Sequence, residues 1–170
     1  MRVLVTGGAG FIGSNLVDAL VERGDQVVVL DDFSSGKRSN LEGKLEAGVV
    51  VVEGDVRSQQ VVSQLFAEHR PQQVLHLAAQ IDVRRSVADP VFDLDVNVGG
   101  TINLLTAAAK SDVERFIFTS TGGAIYGEGK DRDLPLAESA DERPDAPYGQ
   151  SKLAAEGYLD LFARLNGLST

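Results

Sequence analysis

The chain has 170 residues, enough for one domain with a substantial core, and its 43% hydrophobic and 24% charged residues are ordinary for a soluble globular protein. A net charge of −9 opposes nucleic acid or an anionic membrane surface as the main partner. The absence of cysteine excludes disulfides and thiolate chemistry, and two histidines, His69 and His76, are too few for a metal site built on imidazole.

Strand and helix signals alternate from the first residues. Met1-Arg2 leads into the β-branched run 2–6, which stops at glycine where a secretory leader would continue with apolar residues. Residues 11–23 then carry an amphipathic helical pattern, with Gly24 as its C-terminal stop. Strand-type runs follow at 26–31, 49–53, 74–77 and 116–119. Helical patterns lie at 58–70, closed by Pro71, at about 91–110, and at about 147–166. Near-continuous apolar strands suit a sheet buried on both faces. The βαβαβ order therefore predicts an α/β fold, a doubly wound parallel sheet of Rossmann type with right-handed crossovers. The connections 32–47 and 122–146 are long enough to be functional, and the acid-rich stretch 128–145 reads as a solvated loop. No apolar run approaches the roughly 20 residues that span a bilayer, so the expected compartment is the cytoplasm.

The first strand ends in Thr6-Gly7-Gly8-Ala9-Gly10-Phe11-Ile12-Gly13. Glycines at 7, 10 and 13, opening directly into a helix, are what a pyrophosphate needs. Gly7 permits the tight turn, Gly10 lets phosphate approach the backbone, and Gly13 brings the helix close to the sheet. Asp31 ends the second strand, 18 residues beyond Gly13. A carboxylate there can accept the adenosine ribose hydroxyls and repel a 2′-phosphate, which favours NAD. Lys37 and Arg38 follow closely and could pair with such a phosphate, so NADP stays open.

Tyr148 and Lys152 are four apart, on one face of the last helix. A phenol is a poor base at neutral pH, and a nearby ammonium or a positive nicotinamide ring favours its phenolate. Such a pair can deprotonate a sugar hydroxyl as its carbon is oxidised. A third hydroxyl is expected at the end of the fifth strand, where Thr119, Ser120 and Thr121 stand; Thr121 is favoured, while Thr119 and Ser120 could equally satisfy local backbone groups. His76 reads as a packed residue, and Arg84 and Arg85 as an exposed pair able to approach substrate phosphates.

Together these residues resemble the extended short-chain dehydrogenase/reductase family, and within it the 4-epimerases of UDP-glucose and UDP-galactose. The resemblance runs along the whole chain, through the glycine turn, Asp31-Asp-Phe-Ser-Ser-Gly36, Gly54-Asp-Val56, His76-Leu-Ala-Ala-Gln80, Val96-Asn-Val98, Thr119-Ser-Thr121 with Ile125-Tyr-Gly127, and Pro147-Tyr-Gly-Gln-Ser-Lys152. It implies a pyrophosphate covered by Phe11 and Ile12, and an adenosine-ribose loop of Asp31, Asp32, Phe33, Ser34, Ser35 and Gly36. It also implies adenine contacts at Asp55 and Val56. Leu77, Ala78, Ala79 and Gln80 would line the nicotinamide side, with Asn97 supporting the strand ends and Thr119 nearby. Thr121, Tyr148 and Lys152 match the catalytic hydroxyl, base and lysine.

The implied reaction is reversible oxidation at C4 of a nucleotide sugar by tightly held NAD, with the keto sugar turning over before it is reduced again. Gly122-Gly123-Ala124 follow Thr121 and offer no proton-transferring side chain, which disfavours a dehydratase. A dehydratase, decarboxylase or reductase of the same family, or an NAD-binding module without catalysis, remain the alternatives. Family members continue into further strands and a smaller substrate domain, and residues 167–170 read as the threshold of another strand. Residues 1–170 are accordingly expected to be the NAD-binding domain alone. A homodimer through the two long helices is a further expectation, with Leu104, Leu105, Leu159 and Phe162 as apolar contacts unless the monomer core takes them.

Overall fold

The structure, a computed structural model, describes residues 1–127 and 134–170, so residues 128–133 of the acid-rich stretch lie outside the described residues. Five strands, β1 (Arg2–Thr6), β2 (Gln26–Asp31), β3 (Val50–Glu53), β4 (Gln73–His76) and β5 (Arg115–Phe118), form one parallel sheet in the order β3-β2-β1-β4-β5. The doubly wound expectation holds, and strand limits agree with the sequence reading within a residue or so.

Alternation along β1 fills both layers. Val3 and Val5 pack with Val17 and Leu20 of α1 (Phe11–Glu22) and with Val29 and Leu75. Leu4 faces the other way, onto Leu65 and Phe66 of α2 (Gln59–His69), and joins Leu104, Leu105, Phe116 and Leu159. Leu104 and Leu105 lie on α5 (Gly100–Ala109) and Leu159 on α7 (Pro147–Asn166). These leucines are buried in the monomer, and Phe162 packs against the same core. They are therefore not the dimer contacts that the sequence offered.

The segment read as one helix from about residue 91 is more divided. It starts with α3 (Val83–Ala88), capped by Asp82, whose carboxylate accepts from the N–H groups of Arg84 and Arg85. Asp89-Pro90 then breaks the helix, because proline cannot continue the preceding hydrogen-bond ladder. The Asp89 side chain caps α4 (Pro90–Leu94) by accepting from Phe92 N–H. A π-helical turn over Asp95–Gly99 leads into α5.

The chain order reverses between β1 and β4, so the loops after their C-terminal ends flank the crevice where ligands bind in such sheets. Thr6 pairs in register with Leu30 on one side and His76 on the other, at that mouth. Beyond β5, the Phe116 N–H donates to the Ser169 carbonyl at 2.8 Å, so the last residues begin to pair as a strand would. Among the described residues no helix is long and apolar enough to cross a membrane, and no cluster of His, Cys, Asp or Glu could hold a metal.

Candidate functional site

The glycine turn is over-determined. Gly7 has a φ of +71°, and a Cβ there would sit 2.7 Å from Ala78 N, so only glycine joins this turn to the strand-end segment beside it. A Cβ on Gly13 would lie 2.2 Å from the Gly7 carbonyl oxygen, which ties helix to turn. Helix α1 starts at Gly10 with no side-chain cap and no acidic residue in its first turn. Its free N–H groups and positive dipole end therefore face outward, between the exposed Phe11 and Ile12. This cradle fits a pyrophosphate.

Asp31 is buried, and each of its oxygens already holds a backbone N–H: Oδ2 accepts from Ala9 and Oδ1 from Phe33, both at 2.9 Å. Its remaining lone pairs border the 32–37 loop. Asp32 accepts from the N–H and hydroxyl of Ser34, and Gly36 packs so close to Ala9 and Asp31 Oδ1 that a Cβ would collide with both. Arg38 is taken up by Glu53 and by the Phe33 ring, 4.1 Å beneath its guanidinium, and so is not a free partner for a 2′-phosphate. Asp55 accepts a bidentate pair from Arg57 at 2.9 and 2.6 Å. Burial pushes the Asp55 carboxyl up, but the Arg57 hydrogen bonds and charge outweigh this and hold it below its usual value. Val56 lies in the core beneath, while Asp55, Arg57, Ser58, Asp95 and Asn103 line an open cavity of about 540 Å³.

Between these loops and the catalytic side runs a directional hydrogen-bond chain. Thr101 donates its hydroxyl to the Asn97 carbonyl at 2.7 Å, so its oxygen must accept from His76 Nε2–H at 2.9 Å. Nδ1 of His76 is then bare and accepts from the Thr6 hydroxyl at 2.7 Å, while the Thr6 oxygen accepts from Ala78 N–H. Burial foremost, and then the Lys152 charge, pull the His76 pKa down to about 3, so the ring stays neutral. The sequence reading of a packed histidine holds; what it missed is that His76 joins two strand ends to α5 through Thr6 and Thr101.

Asn97 and Gln80 face each other rather than outward. The Asn97 amide accepts from Gln80 N–H at 2.9 Å and donates to the Gln80 carbonyl at 3.0 Å and to Asp93 Oδ1 at 3.1 Å. Gln80 Nε2 donates to Asp93 Oδ1 and to the Asp82 carbonyl. These side chains thus fix the path of 77–80, where Leu77, Ala78 and Ala79 remain half-buried at the crevice.

On the β5–α7 side Thr121 is the N-cap of α6 (Gly122–Ile125), its hydroxyl accepting from Ala124 N–H at 3.4 Å and standing close enough to the Tyr148 phenol to act on its ionisation. Burial raises the Tyr148 pKa, the Thr121 hydrogen bond pulls it back, and the Asp93 charge raises it again. Lys152 lies one helical turn on from this phenol along α7. Its Nζ lies 4.1 Å over the Phe118 ring, and burial foremost drives its pKa down to about 8 against the opposing charges of Glu156 and Asp93. Thr119 is exposed, and Ser120 Oγ is enclosed without a protein partner. Arg84 and Arg85 are exposed on α3, with Arg85 stacked on Phe92 at 4.1 Å.

Two buried residues escaped the sequence reading. Ser86 accepts from Tyr148 N–H at 3.1 Å, and Asp93 acts on both Tyr148 and Lys152. Only the helical spacing of 82–93 hinted at an inward face there.

Residues 3–170 match the model of the NAD dependent epimerase/dehydratase family. A UDP-glucose 4-epimerase of Mycolicibacterium smegmatis is 44% identical over 169 residues, covering 99% of this chain and 53% of that protein. Among solved structures, UDP-glucose 4-epimerase of Thermotoga maritima with UDP-glucose superposes with a TM-score of 0.93 at 44% identity, covering 99% of this chain and 53% of its own. The Thermus thermophilus UDP-glucose 4-epimerase in complex with NAD gives 0.92 at 47%, covering 99% and 52%. The chain spans about half the length of the curated relatives it matches.

Proposed function

This chain belongs to the NAD-dependent epimerase/dehydratase family, and from that premise we propose that its protein holds NAD and interconverts the C4 epimers of a UDP-sugar, of the UDP-glucose/UDP-galactose type, in the cytoplasm. The observation that carries the reading is the Thr121–Tyr148 hydroxyl pair, with Lys152 one helical turn on, at the mouth of the sheet that also presents the glycine turn. A module that only stored the cofactor has no use for a phenolic base.

Bound NAD supplies the two-electron acceptor and donor at the sugar C4. The uncapped start of α1 holds the pyrophosphate, and Asp31 receives the ribose hydroxyls of the adenosine half. Arg38 is engaged by Glu53, which favours NAD over NADP. Asp55 and Val56 border the adenine, while the segment Leu77, Ala78, Ala79 and Gln80, held in place by Asn97, walls the nicotinamide side. Tyr148 removes the proton from the C4 hydroxyl, and Thr121 holds that hydroxyl and the phenol in line. Lys152, four residues on along α7, favours the phenolate by its positive charge. Gly122 and Gly123 present no acid or base beside C5 and C6, which favours epimerisation over dehydration.

The test is the full-length protein supplied with UDP-galactose and NAD, with UDP-glucose followed as product. Turnover is expected, and Tyr148→Phe should lower kcat by about 100-fold or more. No turnover by NAD-loaded protein would leave the non-catalytic module as the reading. The exposed stripe Val83, Val87, Val91 and Leu94 supports pairing of two copies, and light scattering on the same preparation should give twice the chain mass.

A further inference from the structure

We propose that Asp93 is a positioning residue of the catalytic pair, a fully buried carboxylate with one unpartnered oxygen on α4, the helix packed against the one that carries Tyr148 and Lys152. The proposal rests on the reading above, in which those two side chains do the chemistry.

Asp93 is fully buried, and its hydrogen bonding is lopsided. Both donors that reach it, Gln80 Nε2 at 2.9 Å and Asn97 Nδ2 at 3.1 Å, converge on Oδ1, while Oδ2 is enclosed without a protein partner. An asparagine with its carbonyl at the Oδ1 position would accept both bonds equally well. The network that shapes residues 77–80 therefore does not need the charge. A charge buried without need is costly, so its place is explained by what it acts on.

Helix α4 packs against α7, which carries Tyr148 and Lys152. Two arginines, Arg57 and Arg85, stack on the Phe92 ring of the same helix at 4.9 and 4.1 Å. Around Lys152 stand Glu156 and Tyr148 on its own helix, Asp93 on α4, neutral His76 on β4 and the Phe118 ring on β5. Burial alone drives the lysine towards its neutral form, and Asp93 and Glu156 oppose this. Asp93 acts also on Tyr148, which Glu156 does not. The carboxylate thus couples the two ionisations: removing its charge moves both downward, since a phenol loses a repelling charge and an ammonium an attracting one.

The test compares Asp93→Asn and Glu156→Gln in the full-length, NAD-loaded protein. Asp93→Asn is expected to keep the wild-type thermal midpoint and NAD content, and to move both limbs of the kcat pH profile to lower pH. Glu156→Gln should move only the upper limb. A profile lowered in height with both limbs in place would overturn the proposal, and so would a collapse of the Asp93→Asn thermal midpoint, since the network would then need the carboxylate. If wild type turns over no UDP-sugar, the functional reading fails separately. The ultraviolet absorbance of the Tyr148 phenolate, taken as the difference from Tyr148→Phe, still tests Asp93. Its onset should fall to lower pH in Asp93→Asn, and an unmoved onset refutes the charge coupling.

Discussion

The two sides of the crevice are built on opposite plans. On the β1–β2 side, Gly7, Gly13 and Gly36 leave no room for a single added carbon, and Asp31 binds the turn with both oxygens. On the β5–α7 side, Gly127 and Gly149 are packed as closely, against the Arg143 and Ala124 carbonyl oxygens, but a Cβ at Gly122 or Gly123 would meet nothing within 4 Å, Ser120 Oγ and Asp93 Oδ2 lack protein partners, and Lys152 rests on an aromatic ring. A phosphate cradle works by geometry fixed in advance, because backbone N–H groups cannot reorient to meet an anion. A proton-transfer site needs groups that can change charge and position, and tolerates slack in the surrounding backbone.

One substitution made on each side would break this contrast most sharply. Gly13→Ala forces a methyl to within 2.2 Å of the Gly7 carbonyl oxygen, and should cost about 3 kcal/mol with NAD affinity falling about 100-fold. Gly122→Ala adds its methyl to open space and should leave the unfolding free energy within about 0.5 kcal/mol of wild type. Denaturant unfolding and NAD titration check both. Equal costs at the two positions would erase the distinction between a rigid and a slack side.

The same contrast explains what the sequence made legible. The cradle is local: strand, three glycines, helix and a carboxylate 18 residues on all lie within 31 residues, and each has a backbone reason that composition and spacing expose. Tyr148 and Lys152 were legible because they too share one helix. What was hidden is non-local and buried. Ser86 reaches Tyr148 across 62 residues, His76 reaches Thr6 across 70, and Asp93 looks from sequence like any charge on an amphipathic helix. The engagement of Lys152 by Phe118 was equally invisible, since it depends on how β5 is laid beside α7.

His76 belongs to both sides, and its replacement probes the seam between them. In His76→Gln the amide can accept from Thr6 and donate to Thr101 in the same sense as the ring, but the contacts with Phe116 and Phe118, at 6.0 and 5.6 Å between centroids, are lost. A cost of about 2 kcal/mol at neutral pH follows. The pH dependence has a definite sign. The folded ring resists protonation down to about pH 3, whereas the unfolded chain takes up a proton near 6.5. The wild-type contribution is therefore complete above 6.5 and is lost as pH falls towards 3. Glutamine carries no such slope, so the stability gap between variant and wild type should narrow on acidification. A gap constant with pH would mean that the ring takes up its proton as readily in the folded as in the unfolded chain.

A smaller cost than at His76 is expected at Ser86, and it asks whether the slack side has a fixed point. Helix α7 begins after Ala146, which provides no side-chain cap, and Pro147 has no N–H to offer. Tyr148 carries an orphan donor at the helix start, and Ser86 accepts it at 3.1 Å while giving its own proton to the Val83 carbonyl at 2.7 Å. Ser86→Ala removes that acceptor and should cost about 1 kcal/mol, the worth of a helix cap. If the bond also fixes the phenol against Thr121, kcat should fall about tenfold with KM nearly unchanged, because loss of alignment weakens the reacting geometry more than substrate binding. Loss of stability with kcat intact would make Ser86 a cap and nothing more. A fall in both would place a fixed anchor under the base of an otherwise adjustable site, held by the α3 helix that also presents Arg84 and Arg85.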